Sequence, residues 1–412
     1  MLKYTRSTVA VSVILLAMGT SMLRAQDAPA PAPAKPDDQK PYLEISGAAM
    51  LDTGYQFKSN DPNWFDVVRP TKLPSAPNEF GKNGNWFAGV RQSRLGFRGY
   101  IPTKLGLVKT IFEFELFGTG ADAGQTTFRL RHAWAEIGMF GGGQTWSPFM
   151  DIDVFPNSLE YWGPNGMVFF RNVQARFTPW SKGDSRLVFA VERPGASADQ
   201  GIYANRIELQ DVHPRFPAPD FSGHYRYAGS KGHIQIAGIY RKIYYDDLKA
   251  SQTRDLSGNV NGWGVNTTGN LKISKHVLRV GVVYGAGVQN YMNDAPADVG
   301  IVNNLSNPRT PILGKALPML GLSGFLDLNW SDKWTSTVGY SRLDIDNSDG
   351  QADNAFKSGQ YALTNILCHP VKGLMFGPEF QWGYRDNKKN WHSSDYRIQF
   401  SLKYNFSFKV GG

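Results

Sequence analysis

The chain has a single cysteine, Cys368, among its 412 residues, and no apolar run approaches the length of a membrane helix. One cysteine cannot form an intramolecular disulfide, which excludes the small disulfide-stapled scaffolds that are common among exported proteins. A membrane helix needs about 20 consecutive apolar residues, so a helical membrane protein is excluded as well. The mean hydropathy of −0.36 suits a soluble chain, but it also suits a barrel in which only alternate residues face lipid.

Motifs for catalysis and for metal binding are also scarce. The seven histidines form no tight spacing with cysteine or with acidic residues that would indicate a metal site. No nucleophile-elbow or phosphate-loop motif occurs. We therefore expect no cofactor, no metal and no enzyme activity. A Ser-His-Asp arrangement stays open because its members need not be adjacent, so an outer-membrane barrel hydrolase is one alternative.

The first 41 residues differ in composition from the rest. Met1–Ala25 has two basic residues before an apolar core of about ten residues, which predicts a secretory signal peptide. Gln26–Pro41 is rich in proline and alanine and predicts a semi-extended periplasmic linker. Residues 42–412 are then the folded domain. The formal charge of +9 comes without an arginine-rich run or a nucleic-acid motif, so we expect no nucleic-acid partner.

The clearest periodicity lies at the end of the chain, from Ser394 to Phe408. Successive strand side chains point to opposite faces, and here one face is wholly apolar while the other is polar. The apolar face is Tyr396, Ile398, Phe400, Leu402, Tyr404, Phe406 and Phe408. At about 3.3 Å per residue the segment spans roughly 50 Å, and about ten residues suffice to cross a bilayer at a tilt. The segment predicts a membrane strand, with an exported soluble β-rich binding protein as the alternative.

Short turns and long loops alternate along the chain. Seven short turns separate eight long segments rich in Gly, Pro and Asn, which gives about sixteen strands. The long segments are 58–85, 118–127, 147–167, 193–219, 246–258, 291–316, 346–357 and 386–393. This arrangement predicts an all-β fold, a transmembrane antiparallel β-barrel with short periplasmic turns and long external loops. Four strands are less regular, which predicts that a bulge or an aromatic-girdle position shifts their alternation: Trp86–Ile101, Phe128–Gly138, Lys231–Tyr245 and Tyr361–His369.

Arginines recur in the predicted strands. A guanidinium facing lipid at the midplane of a barrel wall costs about 2–4 kcal/mol, so these side chains must face the lumen or lie at its rims. Rings of arginine and lysine in a pore select anions, which is the predicted role of these residues. The alternative is that they form ion pairs that stabilise the inner wall. The candidate pore-lining basic residues are Arg91, Arg94, Arg98, Arg129, Arg131, Arg171, Arg176, Arg241 and Arg385.

The third long segment carries many aromatic residues and prolines. A solvent-exposed loop seldom carries so many aromatic residues, so the segment is predicted to fold back against the inner wall and narrow the pore. Its acidic residues are then expected to face the arginines. The alternative is a surface loop that covers a neighbouring subunit. The candidate constriction residues are Trp146, Asp151, Asp153, Glu160, Tyr161 and Trp162.

Several segments resemble the DcaP-like family of trimeric bacterial outer-membrane porins. They are RQSRLGF, RLRHAW, GQTWSPFMDIDVFPNSLEYWGPNG, FRNVQARFTP, PDFSGHYRY and NILCHPVKGLMFGPEFQWGYRDN. The resemblance runs from about residue 43 to residue 408. It implies a sixteen-stranded barrel, a third loop constricting each pore, a homotrimer and uptake of small anions such as dicarboxylates.

The expected protein is therefore an outer-membrane porin, a multi-pass β-barrel for passive diffusion of small hydrophilic solutes with a preference for anions. Its expected partners are small anionic solutes, outer-membrane lipid and the outer-membrane insertion machinery. Members of the resembled family end in phenylalanine, whereas four residues follow Phe408 here. Either Phe406 or Phe408 is the residue that the insertion machinery is expected to recognise.

Overall fold

The computed structural model describes residues 40–412. The predicted signal peptide over residues 1–25, and all but the last two residues of the predicted linker, lie outside this range. No helix of the described chain is long and apolar enough to cross a membrane.

The regular structure of residues 40–412 consists of twenty strands and seven short 3-10 helices in the loops. Their bounds are β1 Tyr42–Gln56, β2 Asn85–Gly89, β3 Arg94–Thr103, β4 Gly106–Phe117, β5 Thr126–Ile137, β6 Phe140–Trp146, β7 Arg171–Lys182, β8 Ser185–Glu192, β9 Val212–Arg215, β10 Asp220–Gly229, β11 Gly232–Asp247, β12 Gly258–Ile273, β13 His276–Ala286, β14 Val299–Asn303, β15 Ile312–Ala316, β16 Pro318–Asn329, β17 Trp334–Ile345, β18 Phe356–Cys368, β19 Leu374–Asn387 and β20 His392–Gly411.

Eighteen of these strands form one closed antiparallel sheet. β2 and β3 both pair with β1, and β9 and β10 both pair with β11, so each couple is one interrupted barrel strand. The barrel therefore has sixteen strands, as predicted. It closes where β1 pairs with β20 over the whole length of β1, from Tyr42 opposite Gly411 to Gln56 opposite Arg397. Closure removes the exposed sheet edges that would leave backbone groups unpaired in lipid.

The predicted alternation of short and long connections is confirmed except at the eighth loop, because the strands extend into the predicted segment 386–393 and leave a connection as short as the turns. The turns have two to five residues, and Gly138 (φ +56°) and Gly183 (φ +59°) occupy the left-handed region that two of the tightest turns require. We number the long connections as loop 1 (57–84), loop 2 (118–125), loop 3 (147–170), loop 4 (193–211), loop 5 (248–257), loop 6 (287–317, containing the β14–β15 hairpin), loop 7 (346–355) and loop 8 (388–391).

The two faces of β20 differ as the sequence predicts. Ile398 and Phe400 are 48% and 44% exposed, whereas Gln399 and Ser401 are 0% exposed. The apolar side chains thus form the outer, lipid-facing surface. The inward side chains are polar, but they are packed in a hydrogen-bonded network rather than exposed to water.

Of the four strands predicted to be irregular, one is interrupted and another has a bulge. Trp86–Ile101 is divided between β2 and β3. In β5 the register shifts, because Glu113 lies opposite His132 while Phe114 lies opposite Leu130. Arg131 is the additional residue of this bulge, and a bulge redirects side chains. Arg131 and the adjacent His132 can therefore both make contacts inside the barrel.

Candidate functional site

Loop 3 begins on an apolar part of the inner wall. Phe149 and Met150 are buried in a cluster with inward residues of β11, β13, β16 and β17, among them Ile239 and Val283. Full burial of a side chain of this size stabilises by about 1.5–3 kcal/mol. The loop therefore packs inside the barrel and does not extend into solvent.

Polar contacts then fix the loop on β10, β11 and β12. The Asp151 carboxylate accepts hydrogen bonds from Arg226 at 3.2 Å, from His233 Nε2 at 2.6 Å and from Thr268 at 2.7 Å. Arg226 also donates to Asp153 at 2.5 Å. Ligand atoms of Asp151, Asp153 and His233 lie within 4.8 Å of one another, but a metal ion there would have to displace the Arg226 guanidinium.

Further contacts carry loop 3 across the lumen to β19. The Asn157 carbonyl accepts from Thr337 Oγ1 at 3.2 Å and from Asn365 Nδ2 at 2.9 Å. The Leu159 amide donates to Glu379 at 2.8 Å, and the Gly166 amide donates to Ser341 at 2.7 Å. Loop 3 is thus held along about half of the barrel circumference.

Glu160 is buried at this end of the loop. Its carboxylate accepts hydrogen bonds from the Tyr361 hydroxyl at 3.1 Å and from the Trp162 amide at 2.6 Å. Burial raises the pKa of Glu160 to about 7, although the positive charge of Arg397 opposes the shift.

The next residue, Tyr161, contacts the opposite wall. Its hydroxyl donates to Glu115 of β4 at 2.6 Å. Glu115 is also the common partner of three arginines, with nitrogen–oxygen distances of 2.5 Å to Arg131, 3.4 Å to Arg129 and 3.6 Å to Arg171. Arg131 is paired in addition with Glu113 at 2.5 Å.

Six of the nine candidate arginines lie on strands β3, β5 and β7, on this side of the barrel. Arg129, Arg131 and Arg171 share Glu115, and Arg94 lies 5.7 Å from the Tyr161 ring. No ion pair to Arg94 occurs among residues 40–412. Arg98 lies on the same inward face of β3 as Arg94, four residues further along the strand. Arg176 donates to the Trp146 carbonyl and to Gln174.

The other three candidates lie outside this group, and each is bound to residues of the loops. Arg91, 1% exposed, pairs with Asp66 of loop 1 at 2.5 Å and donates to two carbonyls at the ends of loop 2. Arg241 pairs with Asp220 and Asp298, each at 3.2 Å. Arg385 donates to the Thr71, Leu73 and Asn354 carbonyls.

The acidic residues of loop 3 also differ from expectation. Asp151 and Glu160 are 3% and 0% exposed and bind the wall behind the loop, so they do not face the arginines across an opening. Only Asp153 keeps an exposed carboxylate, and it is paired with Arg226. Trp146 is the last residue of β6, where it packs against His132 and Phe169 at 5.1 and 5.0 Å between ring centroids.

Loop 1 is an inward element that the sequence interpretation missed. Val68 is fully buried against Phe325, Tyr361 and Leu363 of the inner wall, and Trp64 lies 5.0 Å from Trp162 of loop 3. The apolar pair at positions 67 and 68 in an otherwise polar loop was the available sign. Lys403 of β20 and Arg226 of β10 are inward basic residues that were also not proposed.

These features together define a class of protein. A closed sixteen-stranded barrel with an apolar outer face, a polar inner face and a third loop packed inside is the architecture of outer-membrane porins. Residues 34–297 match the model of the family described as DcaP outer membrane protein, and the chain belongs to that family. It is a multi-pass β-barrel channel of the outer membrane and not an enzyme, which sets aside the hydrolase and soluble-binder alternatives.

Solved structures share this fold. The outer membrane channel DcaP of Acinetobacter baumannii superposes with a TM-score of 0.72 at 18% identity, covering 89% of this chain and 97% of that one. An anion-selective porin from Comamonas acidovorans gives a TM-score of 0.55 at 9% identity, covering 89% and 100%. The trimer form of OmpT from Vibrio cholerae gives 0.53 at 10% identity, covering 89% and 100%. No curated protein sequence matches this chain.

Proposed function

We propose that this porin conducts small hydrophilic anions by passive diffusion, with dicarboxylates as the preferred class. The observation that carries the proposal is a local imbalance of charge. Among residues 40–412, Arg94, Arg129, Arg131 and Arg171 lie around two carboxylates, those of Glu113 and Glu115. This sector of the wall therefore has an excess of two positive charges.

The acidic residues of loop 3 do not offset that excess. The Asp151 and Asp153 carboxylates are paired with Arg226 of β10 and His233 of β11. A solute between loop 3 and the β3–β7 wall therefore meets unbalanced positive charge. Two excess charges match a solute with two carboxylates, and the planar fork of arginine can bind a carboxylate by two hydrogen bonds.

Passive conduction also requires release. An anion must bind favourably enough to enter and weakly enough to leave. The Glu115 carboxylate is already paired with Arg129, Arg131 and Arg171, which weakens the attraction of these arginines for an anionic solute. The name of the Comamonas acidovorans porin, which describes it as anion-selective, supports the same direction of selectivity for this chain.

We further propose a homotrimer, which the trimer form of OmpT supports. The apolar outer face of β20 is the proposed surface for outer-membrane lipid. Recognition of the strand by the insertion machinery is proposed to use Phe408, which is 61% exposed on that face, in preference to the less exposed Phe406.

Solute flux into proteoliposomes tests the proposed function. We expect succinate to enter faster than a neutral sugar of similar size at low salt. The difference is expected to fade near 1 M salt, where the screening length falls to about 3 Å. Equal rates for the two solutes at low salt, with a folded barrel, would contradict the proposal.

A further inference from the structure

The outer face of the barrel has an apolar groove of about 420 Å³ over strands β8, β10 and β11. Its floor is formed by Gly223 and Gly238, which lie directly opposite each other on β10 and β11. Outward side chains at directly opposed positions lie close together on a sheet, so two opposed glycines leave a gap in the outer surface of the wall.

Larger outward side chains border this gap on every side. Along the sheet, the register places one of them opposite each glycine, and a pair of them lies two residues above and another pair two residues below the glycines. All six border residues are exposed on the outer face. They are Phe189, Phe221, Tyr225, Ile236, Tyr240 and Val265.

Aromatic residues mark both membrane interfaces on this part of the wall. Tyr240 and Trp263, opposite each other on β11 and β12, form an external band. Trp180 and Tyr227, close to the periplasmic turns, form a second band, and all four side chains are exposed. Tyrosine and tryptophan girdles lie at the two surfaces of the bilayer. The groove lies between the two bands, at the depth of the lipid chains.

The groove lies in the external half of the wall. Along β11, Gly238 is two residues from Tyr240 of the external band. Along β10, its partner Gly223 is four residues from Tyr227 of the periplasmic band. The acyl chains that reach the groove therefore belong to the external leaflet.

Basic side chains lie directly above the groove. Lys242 follows Tyr240 on the outer face of β11, about 7 Å nearer the external end at about 3.3 Å per residue. Lys242 makes no ion pair among residues 40–412, and its ammonium lies 5.2 Å from the Tyr244 ring centroid. The exposed Arg215 guanidinium lies 5.1 Å from the same centroid and is paired with Asp246. The three charged groups leave one net positive charge at the level of the lipid headgroups.

The groove and the charge above it specify different parts of one ligand. Apolar groups inside a bilayer associate through close packing, and the gap over the glycines offers an acyl chain more contact than a smooth wall does. Basic residues at the headgroup level attract anionic lipids. A lipid phosphate above an acyl chain satisfies both conditions.

We propose that this outer surface binds a phosphorylated lipid of the external leaflet. One acyl chain packs in the groove over Gly223 and Gly238, and the phosphate accepts hydrogen bonds from Lys242 and Arg215. The inference goes beyond the proposed conduction of anions and does not depend on it, because the site lies on the outside of the wall.

Native mass spectrometry of the full folded protein in detergent tests the site, because it counts both the lipids and the protomers in each complex. The probes are lipid A, which is the acylated and phosphorylated part of the external-leaflet lipid, the same lipid without its phosphates, and inorganic phosphate. Heat-modifiable migration in SDS confirms that each variant is folded.

Gly238→Leu fills the groove. In the described chain a Cβ at Gly238 would meet only the Gly264 carbonyl oxygen, at 3.9 Å, so the barrel can accommodate the side chain. Gly324→Leu is the matched control, because Gly324 is an outward glycine of β16 whose Cβ would also lie in open space. Gly238→Leu should weaken lipid A binding by about fivefold or more, because it removes the packing surface. Gly324→Leu should change it by less than about twofold, because distant sites act independently.

Lys242→Gln removes the unpaired charge. It should weaken lipid A binding by about threefold or more, because the attraction of a basic residue for anionic lipid is lost. The lipid without phosphates should bind more weakly than lipid A to the wild type and equally to the wild type and Lys242→Gln. Lys357→Gln, which changes an exposed lysine at the external end of β18, is the control and should leave lipid A binding unchanged.

Equal affinities of Gly238→Leu and Gly324→Leu for lipid A would overturn the inference, and so would equal affinities of the wild type for the two lipids. Displacement of lipid A by inorganic phosphate would assign the basic residues to a free anion. Dissociation of an oligomer in Gly238→Leu but not in Gly324→Leu would assign the groove to a second copy of the chain. Either assignment would also overturn the lipid site.

Discussion

The Tyr161 hydroxyl donates a hydrogen bond to the Glu115 carboxylate at 2.6 Å, which joins the tip of loop 3 to strand β4 across the barrel. Glu115 is also the shared partner of Arg129, Arg131 and Arg171. The position of the loop and the positions of the arginines are therefore set by the same carboxylate. A change at either residue should alter both the width of the opening and its charge.

Tyr161→Phe should loosen loop 3 without changing the charge. A hydrogen bond to a charged group contributes about 1.5–3 kcal/mol, and its loss should raise single-channel conductance and current noise. Tyr404→Phe is the control, because Tyr404 is 52% exposed on the outer face of β20. Identical recordings from the two variants would show that the Tyr161 contact does not hold the loop.

Glu115→Gln should strengthen anion selectivity. The substitution leaves three arginines without their common counter-charge, and breaking a buried ion pair costs about 3–5 kcal/mol. We expect a less stable barrel whose reversal potential in a salt gradient shifts further toward the anion limit. Glu208→Gln removes a partly exposed carboxylate of loop 4 and should shift neither property. A shift toward cations in Glu115→Gln would contradict the charge assignment.

The anchoring of loop 3 should depend on pH through Glu160. Burial raises the pKa of this carboxyl from an ordinary value of 4.5 to about 7, so the docked loop binds a proton that the released loop gives up. Docking is therefore most favourable below about pH 4.5 and weakens as the pH rises through 7. Current fluctuations should increase between pH 5 and pH 8.

Glu160→Gln provides the check on that assignment. The amide is the same size and cannot titrate, so its current fluctuations should be the same at both pH values. A pH dependence that persists unchanged in Glu160→Gln would assign the effect to another group.

The outer face of β20 should not tolerate charge. Phe400→Lys should cost about 2–4 kcal/mol if it lies at the midplane, measured as loss of the heat-modifiable barrel. Ser407→Lys is the matched inward control, because Ser407 contacts Glu44 at 3.0 Å. Gln399 and Ser401 are unsuitable controls, since both are fully buried beside Asp52. Equal losses in Phe400→Lys and Ser407→Lys would defeat the lipid-facing assignment.

The barrel could be predicted because its information is local. Period-two alternation in β20 and the order of short and long connections are visible within 10 to 20 residues. The role of each arginine could not be predicted in this way, because it depends on partners that are distant in the sequence. Arg91 pairs with Asp66 and Arg241 pairs with Asp298, and in each pair the carboxylate lies in a loop whose inward path no periodicity encodes.

The inward path of loop 1 could not be predicted from the sequence for the same reason. Its burial depends on Phe325, Tyr361 and Leu363, which the closed barrel brings to Val68 from more than 250 positions away. For the acidic residues of loop 3, partners on the wall such as Arg226 and His233 decide which way the side chains point, and these partners are far away in the sequence.

The reversal potential in a planar bilayer under a salt gradient tests the central claim most directly. The wild-type channel should prefer anions at low salt, and the preference should fade toward 1 M salt. Arg94→Gln, which removes an arginine without an ion pair in the described chain, should reduce the preference more than Arg309→Gln does. A wild-type channel that prefers cations at low salt would contradict the account.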